Sequence, residues 1–275
     1  MPGKFFRSGI LTDRRESPKI DSSVAHIARV YDYWLGGKDN FAVDREVGDK
    51  VLEIHPETAL SVRANRAFLA RSVRYLAERE GIRQFLDVGT GLPSANNTHE
   101  VAQAVAPESR VVYVDNDPIV LAHARALLTS SPDGETGYLE ADIKDPDAIL
   151  AGAAELIDFT RPVAVMLVAV LHMLRDDEAP TAIVDRFMAA VPPGSFLVIS
   201  HLASDVQRDT MAEMGRRLNE SMTQQFTMRS RAQVTSFFDG LVPVEPGVVL
   251  THEWRKDPSA PGNPGVLWAA VARKP

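Results

Sequence analysis

The chain contains no cysteine, which removes disulfides, thiolate nucleophiles and cysteine-held zinc or iron–sulfur centres together. It also lacks a long apolar run. The longest, Val163 to Leu171, falls far short of the roughly 20 residues a membrane-spanning helix requires, and reads instead as a buried strand. The opening residues, Met1 to Leu11, have no apolar core or small-residue cleavage site of an export signal. Positive charge is in deficit: a formal net charge of -7 argues against a surface built to neutralise phosphates non-specifically. These gaps lead to the expectation of a soluble, cytoplasmic protein that acts on small or medium-sized molecules or on proteins, with no nucleic-acid or membrane partner. What is present is apolar material for a core, 45% of 275 residues, enough for an α/β domain of ordinary density.

Read in order, residues 1–20 are polar and aperiodic and are expected to form a flexible arm. Val24, Ile27, Ala28, Tyr31 and Leu35 share a helical face, with caps offered by Asp21 to Ser23 and a stop at Gly36-Gly37. The stretch Tyr31-Asp-Tyr-Trp-Leu-Gly-Gly-Lys-Asp-Asn-Phe41 gathers aromatic, glycine and charged residues. It admits two readings: a helical hairpin with ordinary turn chemistry, or a substrate-side lid of Tyr33, Gly36, Gly37, Lys38, Asn40 and Phe41, whose aromatics cover a ligand while its glycines act as hinge points. Thr58 to Glu80 predicts a long helix, apolar at Leu60, Ala64, Ala67, Phe68, Val73 and Leu76, with its arginines mostly on a solvated face. Residues 21–81 thus form an expected helical cap, packed on a main domain of residues 82–275.

From Ile82 the pattern alternates strand and helix. Strands are predicted at Ile82 to Val88, Val111 to Val114, Tyr138 to Ala141, Val163 to Ala169 and Ser195 to Ser200. Asp117-Pro118 and Asp145-Pro146 start helices, the first running through Leu121, Ala124 and Leu127, and a further helix spans Pro180 to Ala190. Regular alternation of this kind points to a doubly wound, mostly parallel sheet. Helices follow over Asp205 to Asn219 and Ser230 to Phe238. Val248 to Glu253 and Val266 to Ala272 flank a Pro/Gly tract and predict an antiparallel hairpin at the sheet edge.

In such sheets ligands bind outside the carboxyl ends of the strands. The first predicted strand ends in Asp87-Val-Gly89-Thr-Gly91, and Asn97 with Glu100 has capping-box spacing for a helix starting at Thr98. A βα turn that merely needs glycine is the competing reading of this loop alone. Asp115 after the second strand suits the paired hydroxyls of a ribose, and Asp142 with Ile143 after the third suits an adenine edge and face. A dinucleotide loop needs a third glycine where this chain has Ser94. Asp87 is moreover a poor neighbour for pyrophosphate and a good one for an ammonium group.

Here the chain resembles the class I S-adenosylmethionine-dependent methyltransferases over roughly Ile82 to Lys274. The segments 31–41, 85–93 and 112–118 resemble, more closely, an actinobacterial family of S-adenosyl methyltransferases. The resemblance implies a seven-stranded Rossmann-like sheet with a C-terminal antiparallel hairpin, S-adenosylmethionine as cofactor and S-adenosylhomocysteine as product; it implies no particular acceptor. Carried over by position, Asp87, Gly89 and Gly91 would attend the methionine part. Asp115 would hold the ribose, Asn116, Asp142 and Ile143 the adenine, and Ala169 and Val170 would border the reacting centre. Leu92-Pro93 departs from the family loop. Methyl transfer is an in-line displacement that needs alignment first and a general base only for some acceptors. His172 is the best-placed base and Tyr33 a weaker one. Asp176-Asp177-Glu178 is expected to cap and pair, not to hold a metal. An NAD-dependent oxidoreductase and a non-catalytic S-adenosylmethionine-binding regulator are the remaining alternatives.

Overall fold

The computed structural model describes residues 4–7, 21–117, 119–120, 122–123, 130–256 and 265–275. Its strands are β1 (Lys4–Arg7), β2 (Gln84–Val88), β3 (Arg110–Asp115), β4 (Glu135–Glu140), β5 (Ala164–Val168), β6 (Phe196–Leu202), β7 (Val242–Pro243), β8 (Val249–Leu250) and β9 (Leu267–Arg273). Helices are α1 (Ile27–Leu35), α2 (Ala42–Ile54), α3 (Thr58–Glu78), α4 (Thr98–Val105), α5 (Pro146–Ala153), α6 (Pro180–Ala190), α7 (Arg208–Ser221) and α8 (Arg231–Ser236).

The strands β4, β3, β2, β5 and β6 run parallel in that spatial order. The reversal of strand order between β2 and β5 opens a crevice at their carboxyl ends, as in any doubly wound sheet. The middle strands are buried along their whole length, Gln84–Val88 and Ala164–Val168 without exception, which is why they read as continuous apolar runs. One face is covered by α5 and α6 through Ile149, Leu150, Ile183, Val184 and Phe187. The other is covered by α3, whose Phe68, Leu69, Val73, Leu76 and Ala77 pack on Phe85, Tyr113 and Met166. A third cluster joins α1 and α2 to α7, with Trp34, Val47 and Val51 against Met211, Met214 and Leu218.

Several expectations change. Lys4–Arg7 is a strand, antiparallel to β4, so that part of the expected flexible arm extends the sheet; the rest of 1–20 lies outside the described residues. Sheet strands among the described residues number nine, against seven expected. The predicted hairpin forms, with Val249 opposite Ala269 and Leu250 opposite Trp268. Its long strand β9 lies inside the sheet, between β6 on one side and β7 with β8 on the other. The helix α2 was not foreseen. In α3, Leu60 is exposed and Asn65 is buried, a shift of the apolar face by about one residue. The predicted helix through Leu121, Ala124 and Leu127 falls largely outside the described residues, as does most of the Pro/Gly tract.

Candidate active site

The glycine loop is set up by its neighbours. Gly89 and Gly91 have positive φ, 75° and 66°, a region that favours glycine. A Cβ on Gly89 would also overlap the Val170 side chain, so the loop can lie against the end of β5 only without one. The Gly89 and Thr90 amides donate to the Val114 carbonyl at 2.8 and 3.2 Å, which pins the loop to β3. Helix α4 then starts at Thr98, as the capping-box spacing predicts: the Asn97 amide donates to Glu100 Oε2 at 2.8 Å.

Two carboxylates face the loop. Asp115 Oδ2 accepts the Gly91 amide and its Oδ1 the Asp117 amide, each at 2.9 Å. Every carboxylate oxygen has further acceptor capacity, so both remain able to take a ligand hydroxyl. Burial raises the Asp115 carboxyl above its ordinary range against the pull of those two amides. Asp87 accepts the Thr98 hydroxyl at 2.6 Å. Burial lifts its pKa to about 6, opposed by the Thr98 hydrogen bond and the nearby Arg66 charge.

These groups line a cavity of about 170 Å³. Every residue that the resemblance assigned to the cofactor reaches it: Asp87, Gly89, Gly91, Asp115, Asn116, Asp142, Ile143, Ala169 and Val170. Its charged lining is Asp32, Asp87, Asp115 and Asp142 with Arg66 and Lys144. Such an excess of carboxylates suits a ligand bearing ammonium and sulfonium charges and repels a pyrophosphate. The residues present therefore fit S-adenosylmethionine better than a nicotinamide dinucleotide.

The expected lid residues are elsewhere. Tyr33, Gly36, Gly37, Lys38, Asn40 and Phe41 do not line this cavity; the α1 residues Ile27, Ala28, Tyr31, Asp32 and Leu35 do. Helical geometry explains it, since a residue one step from Asp32 points about 100° away. Tyr33 hydrogen-bonds Asp49 on α2 at 2.6 Å, and this bond raises its pKa. Gly36 is the left-handed cap of α1, φ 85°. The turn beyond it is held by Asp32 Oδ2, which accepts the Asp39 amide at 2.9 Å and the Asn40 side-chain amide at 2.8 Å. Phe41 lies under the Arg29 guanidinium at 5.2 Å, and Lys38 is exposed. The segment's polar residues therefore build a helical hairpin.

His172 also misses this cavity. It lines an adjoining chamber of about 60 Å³, which shares Ile27, Tyr31, Ala169 and Met173 with the larger cavity. Burial holds its pKa far below the usual histidine value, with His201 and Arg229 adding to the effect. His201 accepts a hydrogen bond from the Arg229 guanidinium at 2.9 Å on Nε2, and burial lowers its pKa to about 3. The buried Arg229 also donates to the Leu171 and Leu174 carbonyls at 3.1 and 3.0 Å and to Asp176 at 2.6 Å. Asp177 pairs with Arg175 at 2.8 Å and Glu178 with Lys144 at 2.5 Å. Among the described residues no acidic or histidine cluster has the grouping of a metal site.

Other lining residues were not singled out from sequence. Arg66 is one of the α3 arginines, for which sequence predicts mostly a solvated face, yet it reaches the cavity and donates to the Ala95 and Asn96 carbonyls at 3.3 and 3.2 Å. His26 lines the cavity from the cap side and contacts Asp117 at 3.0 Å. Tyr31 accepts from the Asn65 amide at 3.0 Å, and Asn65 accepts from Ser200 on β6 at 2.6 Å. That chain of bonds fixes the phenol between the two chambers.

A switch-point cavity, an acid-Gly-Gly loop and acids at successive strand ends together define a class I S-adenosylmethionine-dependent methyltransferase. The S-adenosyl methyltransferase family model matches residues 13–275, and the chain belongs to that family. It is similar to a DUF574 family protein from Streptomyces avermitilis MA-4680, at 42% identity and TM-score 0.90, over 94% of this chain and 100% of that one. A structure described as a candidate methyltransferase from Thermobifida fusca YX is similar at 40% identity and TM-score 0.86, covering 95% and 99%. None of the curated proteins matches. The chain is an enzyme of S-adenosylmethionine-dependent methyl transfer, and no helix among its described residues is long and apolar enough to cross a membrane.

Proposed function

We propose that the strand-end cavity is the cofactor site and that the methyl acceptor is a small molecule reached beneath α1. The observation that carries this reading is the convergence on one acid-rich cavity of the glycine loop with Asp115, Asp142 and Ala169. Bound S-adenosylmethionine supplies a methyl group made electrophilic by its sulfonium. Asp87 binds the ammonium of the methionine part, and Arg66 its carboxylate. Asp115 takes the ribose hydroxyls, while Asn116, Asp142 and Ile143 hold the adenine. Ala169 and Val170 border the methyl group. Residues 21–57 act as a roof, α3 fastens that roof to the sheet, and the Tyr31–Phe41 segment builds its first turn. Carboxylates around the cavity favour the cationic cofactor over its uncharged thioether product, which favours product exchange.

Asp115→Ala tests the reading. It removes charge-assisted hydrogen bonds worth about 1.5–3 kcal/mol, so affinity for S-adenosylhomocysteine should fall about tenfold or more by calorimetry. Unchanged affinity in a folded variant would remove the ribose assignment.

A further inference from the structure

The turn after β5 is held by a side chain from far along the chain. Arg229 lies between α7 and α8, and its backbone is fastened to the end of β6: its amide donates to the Leu202 carbonyl at 3.1 Å, and its carbonyl accepts the Ser204 amide at 3.0 Å. Its side chain is 3% exposed and lies over the Phe237 ring at 5.7 Å. All five N–H groups of the guanidinium are used. Nη1 donates to the Leu171 carbonyl at 3.1 Å and to His201 Nε2 at 2.9 Å. Nη2 donates to the Leu174 carbonyl at 3.0 Å and to Asp176 Oδ1 at 2.6 Å, and Nε to the same Asp176 oxygen at 3.2 Å. His201 Nε2 is the acceptor of its pair, because Nδ1–H donates to the Leu202 carbonyl at 2.9 Å and burial, which lowers the pKa to about 3, keeps the ring neutral.

The two carbonyls are the ends of one structure. Leu171–Met173 is a 3-10 turn that Leu174 closes, and the residues leading into it are Ala169 and Val170, which border the methyl group under the proposed function. Ala169 has φ 57°, in the left-handed region, although it is not glycine; such a conformation persists only where the surroundings enforce it. On its upstream side the Ala169 amide donates to the Ser200 carbonyl at 3.0 Å. Downstream, Arg229 grips both ends of the turn. Val170 is the side chain against which Gly89 packs, so the position of the turn also sets where the glycine loop can lie. Met173 and Leu174 line the cavity with Ala169 and Val170, and Arg229 does not. One buried guanidinium thus fixes a wall of the site from behind it.

We propose that Arg229 is a positioning residue for methyl transfer: by gripping Leu171 and Leu174 it holds Ala169, Val170 and Met173 where the methyl group of the cofactor is presented to its acceptor. The inference rests on the proposed cofactor site and deepens it by naming what keeps the reacting end aligned, which an in-line displacement requires. Lysine cannot stand in for this residue. An ammonium has three donors radiating from one point, whereas two carbonyls, an imidazole nitrogen and a carboxylate here take the planar fork of five. Asp176, whose side chain is 72% exposed, supplies the counter-charge. The adenosine end of the site is independent of this grip, because Asp115 and Asp142 follow β3 and β4, on the far side of β2 from β5.

The test compares the full-length wild type with Arg229→Lys and Asp176→Asn, using S-adenosylmethionine carbon-13 labelled at its transferable methyl, S-adenosylhomocysteine and adenosine. Arg229→Lys should shift the methyl resonance of bound S-adenosylmethionine and weaken S-adenosylhomocysteine about tenfold, the equivalent of one lost charge-assisted hydrogen bond. Adenosine, which lacks the reacting end, should bind the variant as it binds the wild type. Asp176→Asn, a surface change that keeps the side chain's shape, should move the same resonance in the same direction by less, and it carries the test if Arg229→Lys does not fold. A wild-type resonance and affinity in every variant that folds, or an adenosine loss as large as the S-adenosylhomocysteine loss, would overturn the inference. Labelling the protein's methionine methyls gives a readout that needs no ligand: the Met173 signal should move in both variants while that of Met166, within β5, stays in place. If neither ligand binds the wild type, the cofactor reading fails; an unmoved Met173 signal then overturns the grip on the turn, and a moved one upholds it.

Discussion

At the residue scale, Asp87 carries two obligations that pull against each other. Buried, it is displaced from the ordinary 3.8 to about 6, because burial penalises its charged form. A carboxyl with a raised folded-state pKa stabilises the fold at low pH and loses that contribution as pH rises from the unfolded value through about 6. The displacement corresponds to ~3 kcal/mol. Asp87→Asn should therefore gain stability relative to wild type above pH 6, by up to that amount, and show little difference below pH 4 in urea unfolding. Ligand affinity runs the other way. Under the proposed assignment of Asp87 to the ligand's ammonium, S-adenosylhomocysteine should bind wild type more tightly as pH rises through 6, and calorimetry should find this dependence flattened in Asp87→Asn. The residues that make this site were legible in the sequence because acids and glycines at strand ends have few structural duties. Arg66 was not: in a helix with several arginines, only the packing of Asn65 and Leu69 decides which guanidinium turns inward.

The elements of the roof are organised by one side chain. Asp44, fully buried, accepts the His26 amide at 2.9 Å, the Phe41 amide at 2.8 Å and the Arg29 guanidinium at 2.8 Å. It thereby fixes the start of both α1 and α2. Asp44→Ala would leave Arg29 buried without its counter-charge, which costs about 3–5 kcal/mol; urea unfolding should show a loss of that size. The helix α2 escaped sequence reading because its apolar positions Val43, Val47 and Val51 are separated by Asp44, Arg45, Glu46 and a glycine at 48. The polar segment before it looked like a ligand loop for a related reason. Asp32 binds the turn from one helical turn back, and a local hydrogen-bond partner of that kind leaves no periodic trace. The strands β1, β7 and β8 are two to four residues long, too short for alternation to show, whereas the long buried strands of the parallel sheet were plain.

Over the whole molecule, contacts distant in sequence bind roof to sheet. Arg71 on α3 donates to the Trp254 and Thr251 carbonyls at 2.8 and 2.6 Å, and Ser200 on β6 reaches Tyr31 on α1 through Asn65. Sheet topology was readable because each parallel strand requires a crossover helix; the seating of the roof was not, since it depends on these bonds between remote segments. At the start of α1, on the edge of the strand-end cavity, His26 Nδ1 lies 3.0 Å from Asp117, two residues beyond Asp115, the acid proposed for the ribose. A ligand held under a roof that has to open to release it exchanges at the speed of that opening, not at the speed of diffusion. Weakening that contact should shorten the ligand's residence time. In stopped-flow measurements His26→Ala should raise both the association and dissociation rates of S-adenosylhomocysteine, with a much smaller change in their ratio. If product departure limits turnover, the same variant will turn over faster than the wild type while binding its cofactor about as well, so that His26 acts as a timer for the catalytic cycle.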